Sequence, residues 1–364
     1  MPLIDCDVHP LLPDGGESLS EYLPNDIRER LATRTLALGD PLPPSRFPHP
    51  GGAILRAEST PPSGSLPGSD PEFVREDLLE RTDPTAAILF PLQGAQTGSW
   101  ANPTEAVALA SAFNDYFIER WLPVDDRFKL AMVIAPQDPV AAAAEVRRVG
   151  PTAGVVGVWV PVLNILAGNL YYHPIYEAAD ELGLPILFHP WGSEAMFQGT
   201  PSFAGGIPTT YAERFVDLTQ IAQSNLVSLI FEGIPEKFPN LNFAFSEYGW
   251  TWLASLLWRM DATWKATRIE TPWVKQSPTD YVRGRFRFSS QPMDEPEQQK
   301  RHIAEIAEML HAGETLMFSS DYPHWDSDDV TRVAKVLPEE IRDDVMFGNA
   351  ADLFGIPIPA TTVA

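Results

Sequence analysis

Cysteine and positive charge are the two things this sequence has least of. It contains one cysteine, Cys6, among 364 residues, so an internal disulfide is excluded. Lysine and arginine total 26 against 49 aspartate and glutamate residues, which gives a formal net charge of −23. A field of that sign repels nucleic acids and anionic membrane surfaces. We therefore expect neither of them as a partner.

Long apolar runs are missing as well. No uninterrupted apolar segment approaches the roughly 18 residues that a membrane-spanning helix needs. The N-terminus has neither the basic start nor the apolar core of a secretion signal. Because a single cysteine also fits a reducing compartment, we expect a cytoplasmic protein. Proline, by contrast, is abundant at 36 residues, which indicates a scaffold with sizeable ordered loops.

Strand-like runs alternate with helix-like runs along the whole chain. Most of the strand-like runs are continuously apolar, as in parallel strands that are covered on both faces. They lie at residues 3–8, 86–90, 128–135, 154–160, 185–189, 242–247, 285–290 and 315–320. Amphipathic segments lie between or after them at 104–120, 138–149, 174–183, 212–224, 250–267, 297–310 and 328–346. This alternation predicts one (βα)8 TIM barrel over residues 1–364.

Two stretches rich in proline, glycine and serine interrupt the alternation. Residues 37–71 follow the first predicted strand, and residues 190–211 follow the fifth. Both leave from the C-terminal ends of strands, which is the face where barrel active sites form. Aromatic and arginine residues occur in both stretches, so we expect lids over the barrel mouth rather than flexible linkers.

Reactive side chains follow four of the predicted strands. Asp7 and His9 end the first, His189 the fifth, Glu247 the sixth and Asp321 the eighth. Each has a structural explanation when taken alone, such as a helix cap for Asp321. Together they converge on one pocket of a closed barrel, where their charges require a cation. The mixed nitrogen and oxygen ligands suit Zn, Mn or Fe.

Five segments resemble the amidohydrolase superfamily. They are the DxDxH opening, LFHP, FPNLNFAFSEYGW, SSDYPH and the closing FGNAADLFGI. The resemblance spans essentially the whole chain. It is strongest to the amidohydrolase-related branch that contains aminocarboxymuconate-semialdehyde decarboxylase and the resorcylate-type decarboxylases. It implies that Asp7, His9, His189 and Asp321 bind metal and that relatives are often dimers. A homodimer is therefore an expectation here.

Glu247 departs from the branch, which has histidine at the matching position. It is either a proton-transfer residue or a further metal ligand that bridges two ions. The fourth strand ends in VWVPV without the Lys or Glu that bridges the metals of binuclear relatives. One ion is therefore favoured, and two remain an alternative.

These residues are compatible with several functions. Non-oxidative decarboxylation of a small aromatic or unsaturated acid is favoured, with Asp321 donating a proton to carbon and Glu247 or His324 relaying protons. A hydrolase of a lactone, amide or imide would use the same metal to activate water. An iron-dependent oxygenase and a non-catalytic metal-binding or ligand-binding barrel are further alternatives. Trp191, Arg214 and Trp325 are the expected substrate contacts.

Overall fold

Eight parallel strands form one sheet in the order in which they occur along the chain. The computed structural model describes residues 2–32, 54–190, 201–294 and 300–357. The strands are β1 (Ile4–Val8), β2 (Ala86–Leu89), β3 (Phe128–Val133), β4 (Val155–Trp159), β5 (Ile186–Phe188), β6 (Phe243–Phe245), β7 (Phe286–Ser289) and β8 (Leu316–Met317). The predicted (βα)8 barrel is confirmed.

Backbone hydrogen bonds join β1 to the chain that directly follows β8 and so close the barrel. The N–H of Cys6 donates to the carbonyl oxygen of Phe318 over 3.1 Å, and Val8 forms a parallel bridge with Tyr322. The N–H of His9 donates to the carbonyl oxygen of Tyr322 over 2.7 Å. The residues that follow β1 and β8 are therefore held side by side at the C-terminal rim.

Helices follow the strands and cover the outside of the sheet. In chain order they are α1 (Asn25–Ala32), α2 (Pro71–Val74), α3 (Glu80–Thr82), α4 (Leu92–Ala95), α5 (Pro103–Arg120), α6 (Pro139–Val149), α7 (His173–Leu182), α8 (Tyr211–Phe231), α9 (Ile234–Lys237), α10 (Leu253–Thr267), α11 (Pro278–Arg285), α12 (Lys300–Met309), α13 (Ala312–Thr315), α14 (Val330–Val336), α15 (Glu339–Asp343) and α16 (Asn349–Phe354). Short 3₁₀ or π-helical turns lie at 17–22, 57–59, 75–79, 96–99, 170–172 and 344–348.

Side-chain caps begin the longer helices at defined residues. Asn102 accepts hydrogen bonds from backbone N–H groups in the first turn of α5, and Asp138 does so for α6. Thr210 and Glu213 form a reciprocal capping box at the start of α8. A cap of this kind contributes about 1 kcal/mol. The α8 cap also fixes where the first turn of that helix lies beside the barrel rim.

The amphipathic segment at 328–346 forms more than one helix. Helix α14 ends at Val336 and α15 begins at Glu339, with Leu337 and Pro338 between them. Proline has no N–H to donate and disfavours helical backbone in the residue before it. The break therefore follows from a residue that is visible in the sequence.

The described part of the first expected lid lies against the loop that follows β8. Leu55 pairs with His324 in an antiparallel bridge, and the N–H of Arg56 donates to the carbonyl oxygen of Pro323 over 2.9 Å. Residues 37–53 of that stretch lie outside the described residues, as do residues 191–200 of the second stretch. Whether the two stretches act as lids stays a prediction.

Among the described residues, none of the helices combines the length and apolarity needed to cross a bilayer.

Candidate metal centre

The side chains that follow β1, β5, β6 and β8 meet at the C-terminal end of the barrel. His9 Nε2 lies 2.9 Å from Asp321 Oδ1 and 3.3 Å from Asp7 Oδ1. His189 Nε2 lies 3.0 Å from Asp7 Oδ2 and 3.3 Å from Glu247 Oε2. The Glu247 side chain is 11% exposed and the other four are fully buried. The structure thus brings together the five side chains that the sequence places at strand ends.

Backbone carbonyl groups fix the orientation of two of the imidazoles. His9 Nδ1 donates to the carbonyl oxygen of Phe90 over 3.1 Å, and His189 Nδ1 donates to the carbonyl oxygen of Pro190. With Nδ1 protonated, a neutral ring carries its lone pair on Nε2. Burial lowers the pKa of His9, which favours that neutral form. Both Nε2 lone pairs therefore face carboxylate oxygens, an arrangement that a cation stabilises.

The atoms of this cluster fit a divalent ion. Asp7 Oδ1 and His9 Nε2 are buried and have no hydrogen-bond partner among the described residues, although carboxylates lie close to the imidazole. Ligands about 2.0–2.2 Å from an ion lie about 3.0–3.4 Å from one another. The separations of 2.9–3.3 Å are close to that range. Two sets of ligand atoms, Asp7/His9/His189 and His9/Glu247/Asp321/His324, share His9.

His324 orients Asp321 from the next turn of the chain. Its Nδ1 donates to Asp321 Oδ1 over 2.6 Å, and its ring stacks on that of His9 with centroids 4.4 Å apart. Burial alone would raise the pKa of Asp321, but His324 and His9 outweigh it and lower that pKa. Burial alone would lower the pKa of His324, but Asp321 outweighs it and raises that pKa. The two residues therefore favour an ion pair when no metal is bound.

The pKa of Glu247 is shifted in the opposite direction to that of Asp321. Burial, followed by the nearby carboxylates of Asp321, Asp326 and Asp7, raises its pKa well above the usual range, and Arg214 offsets this only in part. Glu247 and Arg214 line one small cavity of about 30 Å³, together with Ile54, Leu92, Pro190, Tyr211, Phe215, Leu218 and His324. A carboxyl group whose pKa is raised in the metal-free protein and a buried guanidinium group thus share the space beside the candidate metal ligands.

Two of these carboxylate residues hold strained backbone. Glu247 has φ 59° and Asp321 has φ 60°, in the left-handed region. For residues with a side chain this conformation costs about 1–2 kcal/mol. Such strain persists where the surroundings determine the geometry, and it concentrates at functional sites.

The expected substrate contacts fall in different places. Arg214, in the first turn of α8, is 5% exposed and lines the small cavity. Trp325 is 47% exposed and its ring centroid lies 6.0 Å from that of Phe215, a cavity residue. Trp191 lies outside the described residues. Asp5, which shares the alternation of Asp7 and His9, instead accepts hydrogen bonds from the backbone N–H groups of Ser320 and Asp7.

Three further residues at the site were not predicted. Tyr211 lines the small cavity, Gln291 is fully buried beside Asp321, and Asp326 is partly buried and shares the Gln291 amide with it. Gln291 lies two residues beyond the end of β7, and its place after a predicted strand could have identified it. Asp326 lies within SSDYPHWD, five residues after Asp321. No sequence signal marks Tyr211 beyond its place at the start of a helix.

A family model for amidohydrolases matches residues 4–356. The chain belongs to the amidohydrolase family. The resemblance read from the sequence is therefore confirmed. Within this amidohydrolase, β4 ends at Trp159, whose ring centroid lies 5.4 Å from that of His189. An aromatic ring at the end of β4 thus stands beside a metal-ligand candidate.

Two curated relatives are decarboxylases. The 2-amino-3-carboxymuconate-6-semialdehyde decarboxylase of Dictyostelium discoideum is 27% identical over 184 residues, which cover 49% of this chain and 46% of the relative. The chain thus matches less than half of that relative's length. The gamma-resorcylate decarboxylase of Rhodococcus jostii is 26% identical over 242 residues, which cover 60% of this chain and 67% of the relative.

The barrel is also similar to solved structures. The 5-carboxyvanillate decarboxylase of Novosphingobium aromaticivorans, solved with manganese and a nitrobenzoic acid, superposes with a TM-score of 0.68 at 19% identity. The match covers 98% of this chain and 96% of that one. At this identity the similarity establishes the fold.

Proposed function

We propose that this amidohydrolase is a metal-dependent decarboxylase that removes carbon dioxide, without oxidation, from a small aromatic or unsaturated carboxylic acid. One observation carries the proposal. A buried arginine and a nearly buried glutamate, Arg214 and Glu247, line the same cavity beside a His/Asp cluster that fits a divalent ion. The activities named for the two curated relatives support it.

We assign one ion to Asp7, His9, His189 and Asp321. A divalent ion held there would supply Lewis-acid polarisation of a substrate oxygen. The manganese in the carboxyvanillate decarboxylase favours Mn for this chain, with Zn and Fe as the metals to compare. A single ion is favoured because Trp159, rather than a bridging carboxylate, ends β4.

Arg214 binds the substrate carboxylate in this proposal. A guanidinium group presents paired donors that match a carboxylate in two-point geometry. Because its side chain is nearly buried, such an ion pair is screened little by solvent. The carboxylate that will leave is thereby held beside Glu247.

Glu247 is the proton donor that the geometry favours over Asp321. Both oxygens of Asp321 already have partners, since Oδ1 accepts from His324 and Oδ2 accepts from Gln291. Glu247 lines the cavity and bears a proton more readily. It gives that proton to the carbon that carries the carboxylate. The carbon–carbon bond then breaks, its electron pair returns to the ring or double bond, carbon dioxide leaves, and Glu247 is reprotonated from solvent.

The test is carbon dioxide release by the purified protein loaded with Mn²⁺, Zn²⁺ or Fe²⁺. The first substrates are 2,6-dihydroxybenzoate and 5-carboxyvanillate, followed by other hydroxylated benzoates. We expect release of one carbon dioxide per product arene with at least one metal. Hydrolysis of a lactone, amide or imide panel, or metal-dependent oxygen consumption, in the absence of any decarboxylation would overturn the proposal. Ligand binding without turnover under every metal would also overturn it.

We infer in addition that the enzyme works in the cytoplasm as a homodimer. The single cysteine, Cys6, is buried, which suits a protein that needs no disulfide. Trp258 is 58% exposed on α10, where a second copy would cover it. Light scattering of the purified protein, and of Trp258→Glu, tests the assembly. A monomeric wild-type protein would contradict it.

A further inference from the structure

Gln291 reaches the metal cluster from a strand that supplies none of its predicted ligands. It lies two residues beyond the end of β7, and its side chain is fully buried. Its backbone is held on both sides, because its N–H donates to Ser319 Oγ over 3.3 Å and its carbonyl oxygen accepts from Ser289 Oγ over 3.0 Å. The backbone from which the Gln291 side chain extends is therefore fixed in position.

One amide nitrogen serves two carboxylates. Gln291 Nε2 donates to Asp321 Oδ2 over 3.1 Å and to Asp326 Oδ2 over 3.2 Å. Asp321 is consequently held from both ends, since His324 donates to its Oδ1. Rotation of the carboxylate would break one of these bonds. Gln291 thus helps to fix the plane of the carboxylate whose other oxygen lies 2.9 Å from His9 Nε2.

The other end of the amide is left without a partner. Gln291 Oε1 is buried and has no hydrogen-bond partner among the described residues. A buried acceptor without a partner costs about 1–3 kcal/mol. If this glutamine served stability alone, we would expect both ends of its amide to be hydrogen-bonded. The orientation of this amide is therefore set by the two carboxylates, one of which is a proposed metal ligand.

We propose that Gln291 is a positioning residue that holds Asp321 in the orientation needed to bind the metal. The inference rests on the proposed metal site and adds to it a residue that neither the family match nor the named relatives assign. Partners that orient a metal ligand typically change metal affinity by 10- to 100-fold when they are removed. We expect a loss of that size for Gln291.

The test replaces the amide by an apolar group of similar length, Gln291→Met. Mn²⁺ affinity is measured by titration calorimetry, and unfolding of the metal-free protein is followed by circular dichroism. We expect the dissociation constant to rise about 10- to 100-fold while the metal-free unfolding temperature stays within a few degrees of wild type. The electron paramagnetic resonance spectrum of the residual bound Mn²⁺ should also change, because Asp321 is no longer fixed.

A matched control comes from Asn225, a buried amide on α8. Its Oδ1 accepts from the N–H of Ala167 over 2.9 Å, and its Nδ2 donates to the carbonyl oxygen of Ile221. Asn225→Leu removes these bonds from a part of the protein that holds no predicted metal ligand. It should lower the unfolding temperature and leave Mn²⁺ affinity unchanged, which separates lost stability from lost positioning.

A double variant separates positioning from charge. If Gln291 served only to keep Asp321 and Asp326 from repelling one another, adding Asp326→Asn to Gln291→Met would restore Mn²⁺ affinity. Positioning predicts that the double variant binds Mn²⁺ as weakly as Gln291→Met. Restored affinity, or unchanged affinity in Gln291→Met, overturns this inference and leaves the metal site standing. Wild-type protein that binds no divalent metal overturns the proposed function as well.

Discussion

The backbone N–H of Asp321 donates a hydrogen bond to the carbonyl oxygen of Asp7 over 3.0 Å. This bond joins the chain after β8 to the end of β1, so the two carboxylates are positioned by backbone as well as by their own side-chain contacts. The imidazoles of His9 and His189 are oriented by backbone carbonyl groups in the same way. The centre is therefore preorganised by the closure of the barrel rather than by long flexible side chains.

Asp321→Asn should lose metal before it loses its fold. Asparagine tolerates the left-handed backbone at φ 60° and keeps most of the side-chain shape, but it removes a buried negative charge from the ligand set. We expect the Mn²⁺ dissociation constant to rise at least about tenfold, with turnover falling in parallel. Metal content measured by mass spectrometry after dialysis checks this. Full metal occupancy with no turnover would instead return the proton-donor role to Asp321.

Glu247→Gln should separate chemistry from metal binding. The amide keeps the size of the side chain but cannot donate a proton as an acid. We expect the metal content of wild type and a kcat about 10²- to 10⁴-fold lower. Steady-state kinetics with metal analysis on the same sample measures both quantities. Glu177→Gln, on the exposed side of α7, is the control and should behave as wild type. A Glu247→Gln protein that has lost its metal would show that this carboxylate is a ligand.

Arg214→Met should weaken substrate binding. Hydrogen bonds to charged groups contribute about 1.5–3 kcal/mol, which corresponds to a roughly 10- to 100-fold rise in KM. Metal affinity should not change, since the guanidinium group is not among the ligand atoms. Arg259→Met on the exposed face of α10 serves as the control. A KM equal to that of wild type would exclude Arg214 as the carboxylate contact.

The metal-free protein should become less stable as pH rises from about 4 to above 7. Burial raises the pKa of Asp5, Asp7 and Asp326 to about 7 and raises that of Glu247 well above its usual range. Each of these groups has a higher pKa in the folded protein than in the unfolded chain, where it is near 4. Its contribution to the free energy of unfolding is therefore fully present below about pH 4 and is lost as the pH rises through the folded-state pKa. His324, whose pKa is also raised, acts in the same direction. The lowered pKa of His9 opposes this trend but is one group against several.

Thermal unfolding at pH 5.5 and pH 8, with and without Mn²⁺, measures that trend. The metal-free protein should unfold at a lower temperature at pH 8 than at pH 5.5. Mn²⁺ should raise the unfolding temperature more at pH 8, because it replaces the protons that the buried carboxyl groups have lost. Metal-free protein that gains stability with pH over this range would contradict the electrostatic description of the site.

The strand-end pattern made much of the site predictable. Asp7, His9, His189, Glu247 and Asp321 each follow an apolar run, and in a closed barrel the C-terminal ends of parallel strands meet. The same rule identifies Gln291 once it is applied to the seventh strand. It cannot supply the left-handed backbone of Glu247 and Asp321, or the hydrogen bonds that Asp5 accepts from the N–H groups of Asp7 and Ser320, because these depend on tertiary structure. The contact of Tyr211 with the cavity depends on the packing of α8, which periodicity does not reveal.

Anomalous diffraction from crystals grown with Mn²⁺ tests the central claim most directly. We predict one strong peak within about 2.0–2.3 Å of the ligand atoms of Asp7, His9, His189 and Asp321, with Arg214 and Glu247 facing the open side of the ion. No peak among these residues, or an ion bound elsewhere while the cluster keeps its present contacts, would contradict the account.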